Sequence, residues 1–212
     1  MPNYVYNRLY ASEKVLDHLA GENGVVDFRT VLPFPDGLYE AQGKSGISFD
    51  AEVCAAKVCN EPCKEPLIAE MQQKLEDRSS VLKLDEDAFE DFVAMLRSKR
   101  RTGFFSLLDF RKEVWGTKWN ACHPERSEDH VSFATAWDTP VPVLVALSKL
   151  FPDEDIHVEH VDDIYGDPGH VTLRNGEILD SVGIEGWLAP EEMNSAGGED
   201  ETDVEERAQA AL

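Results

Sequence analysis

The stretch "HVSFATAWDTPVPVLVALSKLFPDEDIHVEHV", His130 to Val161, decides the fold. From His130 to Trp137 it alternates, with Val131, Phe133, Thr135 and Trp137 on one face, as a strand does in a sheet covered on one side. Asp138 or Thr139 is placed to cap a helix with Pro140 in its first turn. Val143, Leu144, Leu147, Leu150 and Phe151 then recur at helical spacing. Pro152 closes the helix, and Ile156 to Val161 alternates again. The stretch therefore reads strand, helix, strand.

The same order is expected at the start of the chain. Tyr4 to Tyr10, "YVYNRLY", alternates and is rich in aromatic residues. Ser12 offers an N-cap, Val15, Leu16 and Leu19 line one helical face, and Gly21 with Gly24 ends the helix. Residues 25–32, "VVDFRTVL", are expected to form a second strand that "PFPDG" stops. After the second unit, "HVTLRNGEILD" gives two short strands around Asn175-Gly176, the dipeptide favoured by a type I′ turn.

Two such units with their helices on one side of an antiparallel sheet make an α+β fold of the ferredoxin-like, split βαβ kind, extended by a C-terminal hairpin. Its halves are expected at residues 1–35 and 129–188. Residues 36–128 then form a long, largely helical insertion. Leu67, Ile68, Met71 and Leu75 suggest one helix there, and Phe89, Phe92, Val93 and Leu96 a second that begins near Asp85. A third is expected from about Phe104 to Trp115, ended by Gly116. Residues 189–212 are acidic with almost no large apolar side chains and are expected to stay disordered.

Composition narrows the function classes. The chain has 212 residues, 42% of them apolar, enough to bury a core. Its 42 acidic against 20 basic residues leave a net charge of −22, a field that repels phosphate backbones and argues against direct nucleic-acid binding. The one basic cluster, Lys99-Arg100-Arg101, reads as the cationic last turn of a helix. "MPNYVYNRLY" has no charged segment leading into an apolar core, and no apolar run reaches membrane-spanning length. A cytoplasmic setting with reduced thiols is expected.

Four landmarks carry a family resemblance: "MPNYVYNRL" at the start, "VLPFP" after residue 30, "WGTKWNA" at 115–121 and "FATAWDTPVPVLVALSKLFP" at 133–152. Together they resemble the YubB-type ferredoxin-like domain family, carried on bacterial plasmids and phages. The resemblance implies a topology and a mobile genetic setting, with "WGTKWNA" preceding the third core strand. It implies no iron–sulfur cluster and assigns no functional residue.

Two functional readings follow. In the first, the protein is a non-enzymatic acidic binding protein that engages a host protein, itself nucleic-acid-binding, as an anti-defence factor or DNA mimic, because a carboxylate array imitates phosphate spacing. Its partner-binding residues would be the acidic faces Asp85, Glu86, Asp87, Glu90, Asp91 and Asp153, Glu154, Asp155. An aromatic and polar patch of Trp115, Lys118, Trp119, Asn120 and Trp137 would join them. The second reading is a metal- or small-ligand-binding module, or an enzyme, using Cys54, Cys59, Cys63, Cys122 and His123 for zinc or an iron–sulfur cluster. Cys54-x4-Cys59-x3-Cys63 misses the plant-type cluster spacing by one residue, so the first reading, with no cofactor, is preferred. His157 and His160, three apart on one strand, face opposite sides, and His160 shares the face of Ile156 and Val158.

Overall fold

The computed structural model describes residues 3–20, 25–40, 48–61, 80–163 and 168–184. The chain divides into two compact units, Met1–Val31 with Asn120–Leu212, and Leu32–Trp119. The expected boundaries at 35/36 and 128/129 move accordingly. The expected helix around Leu67 to Leu75, the glycines at 21 and 24, and the acidic C-terminal stretch lie outside the described residues.

The first unit is an antiparallel sheet with helices, in the ferredoxin-like arrangement. Its elements are β1 (Tyr4–Tyr10), α1 (Glu13–Ala20), β2 (Cys122–Arg126), β3 (His130–Ala136), α5 (Val141–Leu150), β4 (Ile156–Asp162), β5 (Pro168–Arg174) and β6 (Glu177–Val182). The strands lie in the order β2-β3-β1-β4-β5-β6. The first four in the sequence, β1, β2, β3 and β4, thus take the split βαβ order, and the β5–β6 hairpin extends the sheet beyond β4. At its turn, Asn175 and Gly176 have φ of 50° and 81°, as a type I′ turn requires.

One expected strand is absent. Residues 25–32 hold a short 3₁₀ turn, Phe28–Thr30, instead. Asp27 explains why: its carboxylate accepts from the Arg29 amide at 3.0 Å and caps the turn, a local bond that competes with a sheet ladder. Phe28, fully buried, sets its ring edge-on to Phe133 with centroids 5.8 Å apart. The second core strand is β2 instead, so "WGTKWNA" precedes the second core strand and not the third. "CHPER" lacks the apolar alternation of a strand: it is a charged edge that carries Pro124, tolerated where no neighbour needs its missing N–H.

Ser12 stands at the expected N-terminus of α1, and the start of α5 differs from the expected one. Ser12 receives the amides of Val15 and Leu16 on its carbonyl at 3.0 and 3.1 Å, while its buried hydroxyl has no hydrogen bond among the described residues. The N-cap of α5 is Pro140, without a side-chain bond, and the first-turn proline is Pro142. The carboxylate of Asp138 accepts from the Thr139 amide at 2.8 Å rather than capping the helix. Trp137 leaves β3 altogether, at a φ of 81°.

The core of this unit is built by period-2 strands and 3.6-period helices. Val5, Leu9, Val131, Phe133, Ile156, Val158, Val171 and Leu173 are buried on one side of the sheet, and α1 and α5 bury Val15, Leu16, Leu19, Val143, Leu144 and Leu147. Each such side chain taken fully from water contributes about 1.5–3 kcal/mol.

The second unit holds α2 (Phe49–Cys59), α3 (Glu86–Thr102) and α4 (Leu107–Phe110), which continues as a single π turn, Arg111–Trp115. The helix α2 was not expected. It packs Ala51, Cys54 and Ala55 against Ala88, Phe92 and Met95 of α3, small side chains letting the two helices approach. On α3 the buried stripe runs Ala88, Phe92, Met95, Ser98, so Phe89, expected on the apolar face, is 42% exposed. Lys99, Arg100 and Arg101 do form the cationic last turn, closed by Gly103 at a φ of 87°. Beyond α4, Gly116 ends the π turn at a φ of 76°.

Candidate functional site

Alternation along β1 sends Val5, Asn7 and Leu9 inward and leaves Tyr6 and Arg8 exposed on the opposite, open face of the sheet. Directly paired residues share a face, so the strand registers map that surface in three rows. Around Tyr6 the row is apolar and mostly small: Cys122, Ala134, Tyr6, Val161, Pro168. Around Arg8 it is charged: Glu125, Ser132, Arg8, Glu159, His170, then Val182. Around Tyr10 it carries rings: His130, Tyr10, His157, then Thr172 and Asp180.

A groove of about 890 Å³ lies against these rows, lined among others by Tyr6, Arg8, His123, Glu125, His157 and Glu159. Tyr6 stands between Ala134 and Val161 and is 53% exposed, so its ring rises above a low floor. Tyr10 lies 5.3 Å from the ring of His130 and 6.2 Å from that of His157, which lies 5.8 Å from His170. Four rings from four adjacent strands thus run side by side.

The rings are held by polar partners. The Tyr10 hydroxyl donates to Glu159 at 3.3 Å, and His157 Nδ1 pairs with Thr172 Oγ1 at 2.9 Å. His130 Nδ1 lies 2.7 Å from Asp129 Oδ1, and His170 Nε2 lies 2.8 Å from Asp180 Oδ2. These imidazole hydrogen bonds hold the carboxyls of Asp129 and Asp180 below the usual carboxylate range. His160, by contrast, is buried on the other side with Ile156 and Val158, its Nε2 3.2 Å from the Val182 carbonyl.

The residues singled out from the sequence are placed elsewhere or are engaged in structure. Trp115 is 0% exposed and its indole donates to the Leu32 carbonyl at 2.9 Å, so it cannot meet a partner. It stacks on Phe34 at 4.9 Å in a cluster with Phe110. Asn120 binds the Phe28 amide at 3.0 Å and the Asp27 carboxylate at 2.8 Å, which makes it a brace. Lys118 lies 5.5 Å over the Trp119 ring, and Trp137 is 40% exposed. Trp115, Lys118 and Trp119 belong to the second unit, Asn120 and Trp137 to the first.

Among the acidic candidates, Asp85 caps α3 through the Ala88 amide at 2.8 Å. Asp91 accepts from the Tyr39 hydroxyl and from the Ser48 amide. Asp155 pairs with Arg174 at 2.8 Å. Glu86, Asp87, Glu90 and Asp153 are exposed and Glu154 half-buried.

The metal candidates do not converge among the described residues. Cys54 is buried in the α2–α3 core, where burial, then Asp50, pushes its thiol pKa up. Cys59 is half-buried on the same helix, and Cys63 lies outside the described residues. Cys122 and His123 belong to the other unit, and burial pushes the Cys122 thiol up as well. A raised pKa disfavours the thiolate a metal needs. No group of three or more His, Cys, Asp or Glu side chains among the described residues is arranged to hold an ion. Among them, too, no helix is long and apolar enough to cross a membrane.

Comparison with known proteins finds one family model that matches the C-terminal part of the chain. Residues 114–205 match the model of the ferredoxin-like domain in Api92-like proteins, a segment that includes β2 to β6 but not β1. Among solved structures, the crystal structure of a protein Api92 from Yersinia pseudotuberculosis is similar at 11% sequence identity and a TM-score of 0.40. That similarity covers 86% of this chain and 98% of that one. No curated protein matches the chain.

Sequence reasoning missed the open face. The signal was present in Tyr4, Tyr6, Arg8 and Tyr10, four large side chains at period 2 on what became an interior strand. The identity of the side that the helices leave bare was not available from periodicity.

Proposed function

We propose that this protein is a non-enzymatic acidic binding protein that docks a cationic segment of a partner protein on the open face of its sheet. The observation that supports the reading is the juxtaposition of Tyr6, 53% exposed over a floor of small side chains, with the carboxylates Glu125 and Glu159 in the next row. An aromatic ring with acidic neighbours favours a lysine or arginine by cation–π attraction and ion pairing. The net charge of −22 adds long-range steering toward a basic surface. Exposed Glu86, Asp87 and Glu90 of the second unit are part of that net negative charge.

On this reading the partner is a host protein with a nucleic-acid-binding groove, since such grooves carry clustered cations. The YubB-type resemblance supplies the setting, a plasmid- or phage-borne accessory protein acting in the cytoplasm as an anti-defence factor or DNA mimic. It works without a cofactor and touches neither nucleic acid nor membrane directly.

The test is fluorescence anisotropy with a labelled peptide of alternating Lys and Arg, at low and high salt. Binding should weaken with salt and fall about tenfold in the Tyr6→Ala/Glu159→Gln variant. Equal binding by the variant, or preferential binding of a labelled single-stranded oligonucleotide, would overturn the reading. Metal content measured on the same preparation tests the thiol-based alternative, which stoichiometric zinc or iron would favour.

A further inference from the structure

Of the six histidines in the chain, four line or border the open face: His123, His130, His157 and His170. They come from four different strands and sit amid the groups proposed to take a cation. Resting on the docking reading, we propose that these imidazoles set the sign of the face, so that it holds a cationic partner segment at neutral pH and releases it at mildly acidic pH.

The charge inventory of the face supports this. Among the described residues, β1 contributes Arg8 with the phenols of Tyr6 and Tyr10, β2 contributes His123 and Glu125, and the approach to β3 contributes Asp129 and His130. His157 and Glu159 come from β4, His170 from β5 and Asp180 from β6, and one row further along Arg174 faces Glu177 and pairs with Asp155. Within the groove and its three rows, with neutral imidazoles, four carboxylates face one guanidinium and the surface is negative. With all four imidazoles protonated the balance of these groups within the three rows turns positive. Histidine is the side chain whose charge ordinarily changes between about pH 5 and 8, above the ordinary carboxylate range.

The positions make the change effective. The rings of His130, Tyr10, His157 and His170 follow one another at 5.3, 6.2 and 5.8 Å, so three of the four new charges arise in one chain of rings that spans two adjacent rows. Glu159 and His170 are direct cross-strand partners, so protonation of His170 sets a cation beside a carboxylate proposed to hold the ligand. His123 sits beside Tyr4 with ring centroids 6.3 Å apart, at the other end of the groove. Of the remaining histidines, His18 packs on Phe151, and His160, although it lines part of the groove, is buried on the face of Ile156 and Val158.

The experiment uses the full chain and the same labelled Lys/Arg peptide, with Kd measured from about pH 7.5 to about pH 5.5 at constant ionic strength. Histidine ring resonances of the free protein are followed by NMR over the same range. Kd should rise by on the order of tenfold as the ring signals titrate. In the variant His130→Gln/His157→Gln/His170→Gln the ratio of the two Kd values should fall toward one. Binding at neutral pH with no pH dependence, or with the same dependence in the triple variant, overturns this inference and leaves the docking reading standing. Ring signals that stay at their neutral positions to about pH 5 overturn it whether or not the peptide binds. No binding at about pH 7.5 overturns both.

Discussion

The imidazole of His160 lies over the α-carbon of Gly169, its direct partner across β4 and β5. A β-carbon at position 169 would stand 2.4 Å from His160 Cε1 and 2.3 Å from the Val182 carbonyl oxygen. The second of these is backbone, which cannot swing aside. Gly169→Ala should therefore cost about 1–3 kcal/mol in urea unfolding, as overpacking does. The double variant Gly169→Ala/His160→Ala should recover only part of it, because the carbonyl clash remains.

Trp115 carries the aromatic core of the second unit. It is wholly buried, stacked on Phe34 and hydrogen-bonded to Leu32. Trp115→Ala should destabilise by about 3–5 kcal/mol through the cavity it leaves and the carbonyl it strands. Trp115→Phe should cost less. Urea unfolding followed by far-UV circular dichroism checks both.

Asp27 ties the 3₁₀ turn to Arg29 and Asn120. Burial alone would push its carboxyl pKa up, but the hydrogen bonds from the Arg29 side chain and amide and from Asn120 outweigh burial and hold it below the ordinary value of 3.8. A depressed folded pKa means the stabilisation is present above the ordinary value and is lost as the pH falls through the folded one. Asp27→Ala should lose about 1–2 kcal/mol at neutral pH, the usual cost of a missing cap, with the loss shrinking in strong acid. Thermal unfolding from neutral to acid pH, wild type against variant, measures it.

Tyr39 is the alkaline counterpart. Burial first, then its hydrogen bond to Asp91, raises the phenol from 10.0 to about 12. A raised folded pKa gives stability that is complete below the unfolded value and drains away as the pH climbs toward the folded one. Tyr39→Phe should remove that alkaline dependence and strip the tyrosinate absorbance step near pH 12 from the spectrum. A step retained in the variant would assign it to another tyrosine.

At the open face, Tyr6→Ala should weaken the Lys/Arg peptide more than Trp137→Ala. The Tyr6 ring stands in the acid-flanked groove, whereas Trp137 lies beyond the end of β3 and does not line it. Parallel anisotropy titrations of the two variants decide the order. Greater loss with Trp137→Ala would move the docking surface to the end of the strand.

What the sequence by itself determined was local. The strands β1, β3 and β4, the helices α1, α3 and α5, and the β5–β6 turn were legible because side-chain period and the positive φ demanded at Asn175 and Gly176 are set by neighbours a few residues apart. Tertiary structure decided which segment fills the second core strand. "VVDFRTVL" has the composition of a strand, but Asp27 turns it back on itself, and the charged, proline-bearing "CHPER" pairs with β3 across a bulge. Tertiary structure also decided the site. Alternation announces that β1 has two faces, but which one is covered depends on α1 together with α5, and α5 lies more than a hundred residues away. The chain of rings from His130 through Tyr10 and His157 to His170 exists only once four strands settle in register, and no spacing in the linear sequence encodes it.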